Sequence, residues 1–189
     1  MMLFNLASIL SFLAVSSLAS PVAEPRSQLA KRSSNLRIKA SADGQCLTGA
    51  GGKWGIGTEL TYGDCDSAPT WTVNSTAGSI GSIILEPANT SPQLALDAGD
   101  GTTNNEKLTL QKSSPGLFQQ TWLYTEDNRI ALTGGDNVSS VTEEYQCLDH
   151  GDDGPQTYQC FTGNSNQIWY FVENEDAKDI LGYPVTASV

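Results

Sequence analysis

The sequence predicts an all-β chain built from three repeats, and three observations carry that prediction. Short segments rich in Val, Ile, Leu, Thr and Tyr, such as "ELTYGD", "SIILEP", "KLTLQK" and "QIWYFV", recur between clusters of Gly, Asn, Asp and Pro. No long apolar face with the 3.6-residue period of a helix interrupts them. Trp71, Trp122 and Trp169 stand 51 and 47 residues apart, and each closes a unit of similar grammar.

That grammar runs in order through each unit: a strand, a "C/A-L-x" step, a turn rich in Gly and Asp, a second strand, another turn, and the tryptophan. The three lines are "QCLTGAGG…TELTYGDCDSAPTW", "LALDAGDG…EKLTLQKSSPGLFQQTW" and "QCLDHGDDGPQTYQCFTGNSNQIW". Together they occupy residues 34–172. Large indole rings meeting near a common axis fill a core that short strands of Val and Ile cannot fill, so Trp71, Trp122 and Trp169 are expected to be structural.

The ends of the chain read differently. Leu3 to Leu18 is an apolar run broken by Asn5 and small serines, closed by Leu18-Ala19-Ser20 before Pro21, and residues 1–20 have the pattern of a secretory signal peptide. The run falls short of the ~20 apolar residues that cross a bilayer. Residues 21–32 form a short pro-segment or linker ending in Lys31-Arg32, a dibasic pair similar to the processing site of fungal secreted precursors. The expected domain spans 33–172, and 173–189 is an acidic, then weakly apolar tail.

Composition narrows the function. A mature chain from Ser33 has 157 residues, enough for one domain, with 7 basic and 20 acidic side chains and a net charge of −13. Such a surface repels phosphate backbones and anionic lipid, which argues against nucleic acid and against membrane insertion. Four cysteines on a secretory route suggest two disulfides, and their spacing offers Cys46 to Cys65 and Cys147 to Cys160 as local loops, with two other connectivities open. No metal or other cofactor is expected: neither cysteine pair is close-spaced, and His150 is the lone histidine.

Gln120-Thr121-Trp122 and Gln167-Ile168-Trp169 carry a Gln-x-Trp motif, whereas Pro69-Thr70-Trp71 keeps only the ring. With three such units the chain resembles the ricin B-type lectins, over nearly all of its expected mature length. The resemblance implies a β-trefoil, a pseudo-threefold barrel, and glycan binding, of galactose or N-acetylgalactosamine type. Its register also implies the bridges Cys46–Cys65 and Cys147–Cys160, since Ala95 and Ser113 replace both members of the pair in the second repeat.

A galactose site needs an aromatic ring over the C–H face, a carboxylate for two vicinal hydroxyls and an amide offering donor and acceptor together. Repeat three has these in the family's order: Asp149, Tyr158 and Asn166, the last beside Gln167, with His150 and Asp152 flanking and a shortened turn between Asp149 and Tyr158. The plain alternative is that Asp149 and Asn166 merely form turns and Tyr158 merely sits in a strand. Repeat two offers a weaker second site of Asp97 and Gln119, with Gln111 where the ring belongs. Repeat one has Thr48, Gly63 and Ala68 at the three positions and is expected not to bind.

Trp54, in "GAGGKWGIG", lies outside the repeat register and either stacks on a partner or folds back over the barrel end. Asn74, Asn89 and Asn137 head N-glycosylation tripeptides. The leading reading is a secreted, non-catalytic lectin. A glycoside hydrolase or its carbohydrate-binding module is the second, disfavoured because the repeats consume the domain; a trefoil protease inhibitor is the third, and has no use for the Asp149, Tyr158, Asn166 set.

Overall fold

The computed structural model describes residues 32–173, apart from 75, 88–90, 136, 137, 139 and 140. The expected signal peptide, residues 21–31 and the tail from residue 174 lie outside the described residues, as do Asn89 and Asn137. Repeat one contributes β1 (Arg32–Ala40), β2 (Cys46–Gly49), β3 (Leu60–Gly63) and β4 (Trp71–Asn74). Repeat two contributes β5 (Ile80–Gly81), β6 (Ile84–Leu85), β7 (Leu94–Asp97), β8 (Thr109–Lys112) and β9 (Trp122–Tyr124). Repeat three contributes β10 (Ile130–Leu132), β11 (Gln146–Gly151), β12 (Gly154–Gln159) and β13 (Trp169–Glu173).

One sheet runs β3-β2-β1-β4-β6-β7-β8, with β13 on the side of β1, and a second runs β12-β11-β10-β9-β5. Pairing of β1 with β13, Leu36 opposite Glu173 through Ala40 opposite Trp169, joins the last strand to the first and closes the barrel. Three hairpins repeat a single register. Cys46 faces Gly63 in β2–β3, Ala95 faces Gln111 in β7–β8, and Cys147 faces Tyr158 in β11–β12. The threefold alignment read from the sequence is therefore a physical equivalence of backbone positions.

The apolar step of each hairpin delivers the core. Leu47, Leu96 and Leu148 occupy the same position in the three hairpins, and each has no exposed surface. Trp71 and Trp169 are fully buried and Trp122 is 2% exposed. Burial of 150–250 Å² per indole stabilises the fold by roughly 4–6 kcal/mol each, counted as area removed from water. Disulfides join Cys46 to Cys65 and Cys147 to Cys160, each across the second hairpin strand of its own repeat. Each closes a short loop and so restricts the unfolded chain by about 2–4 kcal/mol.

The tryptophans differ in one respect. Trp169 Nε1 donates to the Leu148 carbonyl at 2.9 Å and Trp122 Nε1 to the Leu96 carbonyl at 3.2 Å. Trp71 Nε1 is buried with no hydrogen-bond partner. Replacing Trp122 or Trp169 by Phe strands a buried carbonyl, while the same change at Trp71 removes an unsatisfied donor. Urea denaturation is therefore expected to find Trp71→Phe the least destabilising of the three, by about 1–2 kcal/mol; equal losses would contradict it.

Candidate functional site

Strand alternation builds the site on the β11–β12 hairpin. Cys147 faces Tyr158 and Asp149 faces Gln156, and residues opposite one another in an antiparallel pair share a face. Leu148 and Thr157, the alternate residues, are fully buried in the core. Asp149, Gln156 and Tyr158 thus stand together on the outer face, with the Tyr158 side chain half-buried.

Asp149 is only 5% exposed, and its carboxylate is ringed by amides. Gln156 Nε2 donates to Oδ1 at 3.3 Å and Asn164 Nδ2 to Oδ2 at 3.4 Å. Both bonds are long, so they orient the group without saturating the roughly four lone-pair positions of a carboxylate. Burial pushes the Asp149 carboxyl above its ordinary value, opposed by the bonds from Gln156, Gln167 and Asn164 and by the proximity of His150. Gly151 leaves the Gln156 side chain its place beside Asp149, since a Cβ there would lie 2.4 Å from the Gln156 amide carbon and displace that side chain.

The motif glutamines hold this arrangement from below. Gln167 Oε1 accepts from Phe161 N at 2.8 Å and Nε2 donates to the Gln159 carbonyl at 2.7 Å. Gln120 does the same in repeat two, accepting from Ser114 N at 2.8 Å and donating to the Lys112 carbonyl at 3.1 Å and to Asp97 Oδ2 at 2.9 Å. In repeats two and three one side chain thereby ties the loop before the tryptophan to the hairpin, and in repeat two it also holds the aspartate.

The placement differs from the sequence expectation at several residues. Asn166 is exposed on the 3-10 turn Ser165–Gln167, and its backbone N–H donates to Asn164 Oδ1 at 3.1 Å. Asn164, two residues earlier, is the amide that reaches Asp149. His150 is not brought to the site face: as the neighbour of Asp149 in a strand it points the other way. There it stacks on Tyr62 at 4.0 Å and 6° and places Nε2 3.0 Å from Asp43 Oδ2. Gln119 does not reach Asp97 either; its backbone carbonyl accepts from Ala98 N, and the adjacent Gln120 makes the contact. Sequence reasoning missed Gln156 and Asn164. Gln156 was legible, since it stands two residues before Tyr158 in a strand of period two.

Repeat two keeps the carboxylate in use: Asp97 Oδ1 accepts from Gly99 N at 2.9 Å, Oδ2 from Gln120, and Gln111 at the ring position donates to Thr109. In repeat one the Thr48 methyl lies 3.0 Å from where Gly63 would carry a Cβ, so a small residue has closed the position. Asn74 does not suit a glycan, because its Nδ2 donates to the Ile80 carbonyl at 2.6 Å and packs against Gly81. Trp54 is partly folded back and partly exposed. One part of the ring lies against Gly49, and at 41% exposure the rest lines an apolar groove of about 570 Å³ with Ile56, Pro69, Leu85 and Pro87.

Three hairpins in one register around a tryptophan core define a β-trefoil, with a carboxylate held among amides on its third hairpin. The model of the ricin-type β-trefoil lectin domain matches residues 34–169, and the chain belongs to that family. No curated protein matches significantly. Among solved structures the chain is similar to ThreeFoil, a designed threefold-symmetric protein, at 18% identity and a TM-score of 0.53, over 73% of this chain and 97% of that one. It is also similar to an exo-β-1,3-galactanase from Clostridium thermocellum, at 18% identity and a TM-score of 0.54, over 75% of this chain and 30% of the enzyme.

The raised Asp149 carboxyl has a signed consequence. The folded state holds this proton more tightly than the unfolded chain, so ionisation costs stability; the cost is absent below the ordinary value of 3.8 and complete above the folded value. Asp149→Asn is expected to melt higher than wild type at pH 7, with the gap closing as the pH falls towards 4. Thermal melts across that range check it, and a variant that melts lower at neutral pH contradicts it.

Proposed function

We propose that this chain is a secreted carbohydrate-binding lectin without catalytic activity, with a galactose-type site on the third repeat formed by Asp149, Gln156, Tyr158 and Asn164. The observation that carries the reading is the common face of β11–β12. A desolvated carboxylate, two amides and an aromatic ring converge there, and neither other hairpin presents all of them. Asp149 accepts from two vicinal hydroxyls, Tyr158 covers the C–H patch that an axial O4 leaves open, and the amides fix orientation. Gln167 supports from beneath, and exposed Asn166 borders the sugar. In repeat two Asp97, held by Gln120 and lacking a ring beside it, is at most the weaker site.

Membership of a lectin family supports glycan binding in general, and the choice of galactose or N-acetylgalactosamine rests on the site chemistry alone. Secretion is supported by the apolar N-terminal run and by two disulfides, which persist in oxidising compartments. Among the described residues no helix is long and apolar enough to cross a membrane. The similarity to one part of a galactanase supports a second reading, a carbohydrate-binding module acting beside a catalytic domain.

Substitutions separate the site from a polar turn. Asp149→Ala is expected to abolish retention on immobilised galactose, a loss on the order of 1.5–3 kcal/mol or more, while Asp97→Ala matters much less. Tyr158→Ala is expected to weaken binding by roughly 1–3 kcal/mol and Tyr158→Phe to be tolerated, since the ring face meets the sugar. Titration with galactose and glucose, on variants that circular dichroism finds folded, checks both. Glucose binding as well as galactose, or Ala and Phe behaving alike, overturns the assignment.

A further inference from the structure

The strand that carries Gln156 and Tyr158 lies at the end of its sheet, with β11 on one side. An uncovered edge strand exposes unpaired backbone groups and is free to twist or slip. Here the free edge is covered by a segment of repeat two. Asn105 N donates to the Thr157 carbonyl at 2.7 Å, Thr157 N to the Glu106 carbonyl at 2.9 Å, and Lys107 bridges to Gln156. Side chains extend the contact: Thr157 Oγ1 donates to the Thr103 carbonyl at 2.9 Å, Gln159 N to Asn104 Oδ1 at 2.8 Å, and Lys107 Nζ to the Asp153 carbonyl at 2.7 Å.

The bracing segment contains no regular structure of its own, and one carboxylate shapes it. Glu106 Oε2 accepts from Gly101 N at 2.9 Å, and Oε1 accepts from Thr102 N at 3.2 Å, Thr103 N at 2.8 Å and Thr103 Oγ1 at 2.6 Å. Four bonds to one ionised side chain close residues 101–106 into a ring. Burial works to raise this carboxyl, and the bonds from Thr103, Gly101 and Thr102 outweigh it, holding the group below its ordinary range. Asn105, with φ at 65°, makes the turn that presents its N–H to Thr157.

We propose that Glu106, a residue of the second repeat, is a positioning residue for the sugar site of the third, acting through the 101–108 segment that braces the free edge of β12. The inference rests on the reading of that site given above. It also accounts for the poverty of repeat two as a site of its own: the loop after Asp97 that would wall a ligand is committed to its neighbour. Glu106 touches no sugar; it sets where the Gln156 and Tyr158 side chains stand relative to Asp149.

The test uses the full chain and two readouts, galactose affinity by calorimetry and exchange of the Thr157 and Gln159 amide protons by nuclear magnetic resonance. Glu106→Ala is expected to weaken galactose binding fivefold or more and to speed exchange of both protons at least tenfold. Glu106→Gln, which keeps an acceptor oxygen, is expected to restore most of both. Val73→Ala, a core change in repeat one, serves as the control for general destabilisation and is expected to leave the galactose affinity within twofold of wild type. Unchanged affinity in Glu106→Ala, or an equal loss in Val73→Ala, overturns the proposal while the site stands. Wild-type protein that binds no galactose overturns the site, and the proposal with it.

Discussion

The amide of Gln167, with its counterpart Gln120, is the interaction on which the rest of the molecule depends. A trefoil of this size has short strands and long connections, and its connections carry backbone groups that need partners once the tryptophans are buried. One glutamine side chain satisfies an N–H and a carbonyl on opposite sides of the loop before the tryptophan, and turns its remaining proton towards the aspartate of the hairpin. Core, loop and site are thereby joined through a single neutral group, for which a charged residue would cost desolvation and an apolar one would leave buried groups unpaired.

Repeat one lacks this glutamine and is held by other means. Pro69 stands where the glutamine belongs, Trp71 has an unsatisfied indole N–H, and the position of the aspartate is filled by Thr48. The disulfide Cys46–Cys65 and the bond from Arg37 Nη2 to the Asp66 carbonyl at 2.9 Å hold its loop instead. Three units that share a backbone register thus diverge in chemistry. Shape is kept by the leucine and tryptophan steps, while the outer hairpin face is free to vary without exposing the core.

Contacts between repeats matter as much as those within them. The β11–β12 hairpin is held on one side by the segment of repeat two and on the other by repeat one, where Tyr62 stacks on His150 and its hydroxyl donates to the Gly151 carbonyl at 3.4 Å. Burial, and next the Asp149, Asp43 and Asp152 carboxylates, push the Tyr62 phenol well above its ordinary value, so it stays a donor. The face bearing Asp149 is consequently supported by residues from the whole ring of three repeats.

The sequence by itself determined the all-β class and the three units, because these rest on spacing and alternation, which are properties of the chain read locally; it offered the local cysteine pairs, and the fold joined Cys46 to Cys65 and Cys147 to Cys160. The sequence named Asp149 and Tyr158 as candidates, and the register of β11 with β12 put them on one face. Tertiary structure alone decided that Asn164 and not Asn166 approaches the carboxylate, because a 3-10 turn rotates successive side chains by about a third of a revolution. It alone turned His150 to Tyr62 and Asp43, 88 and 107 positions away in the chain, and bound Glu106 to the edge of a neighbouring repeat. Such contacts depend on how separate repeats meet, and no local pattern encodes a meeting between segments so far apart.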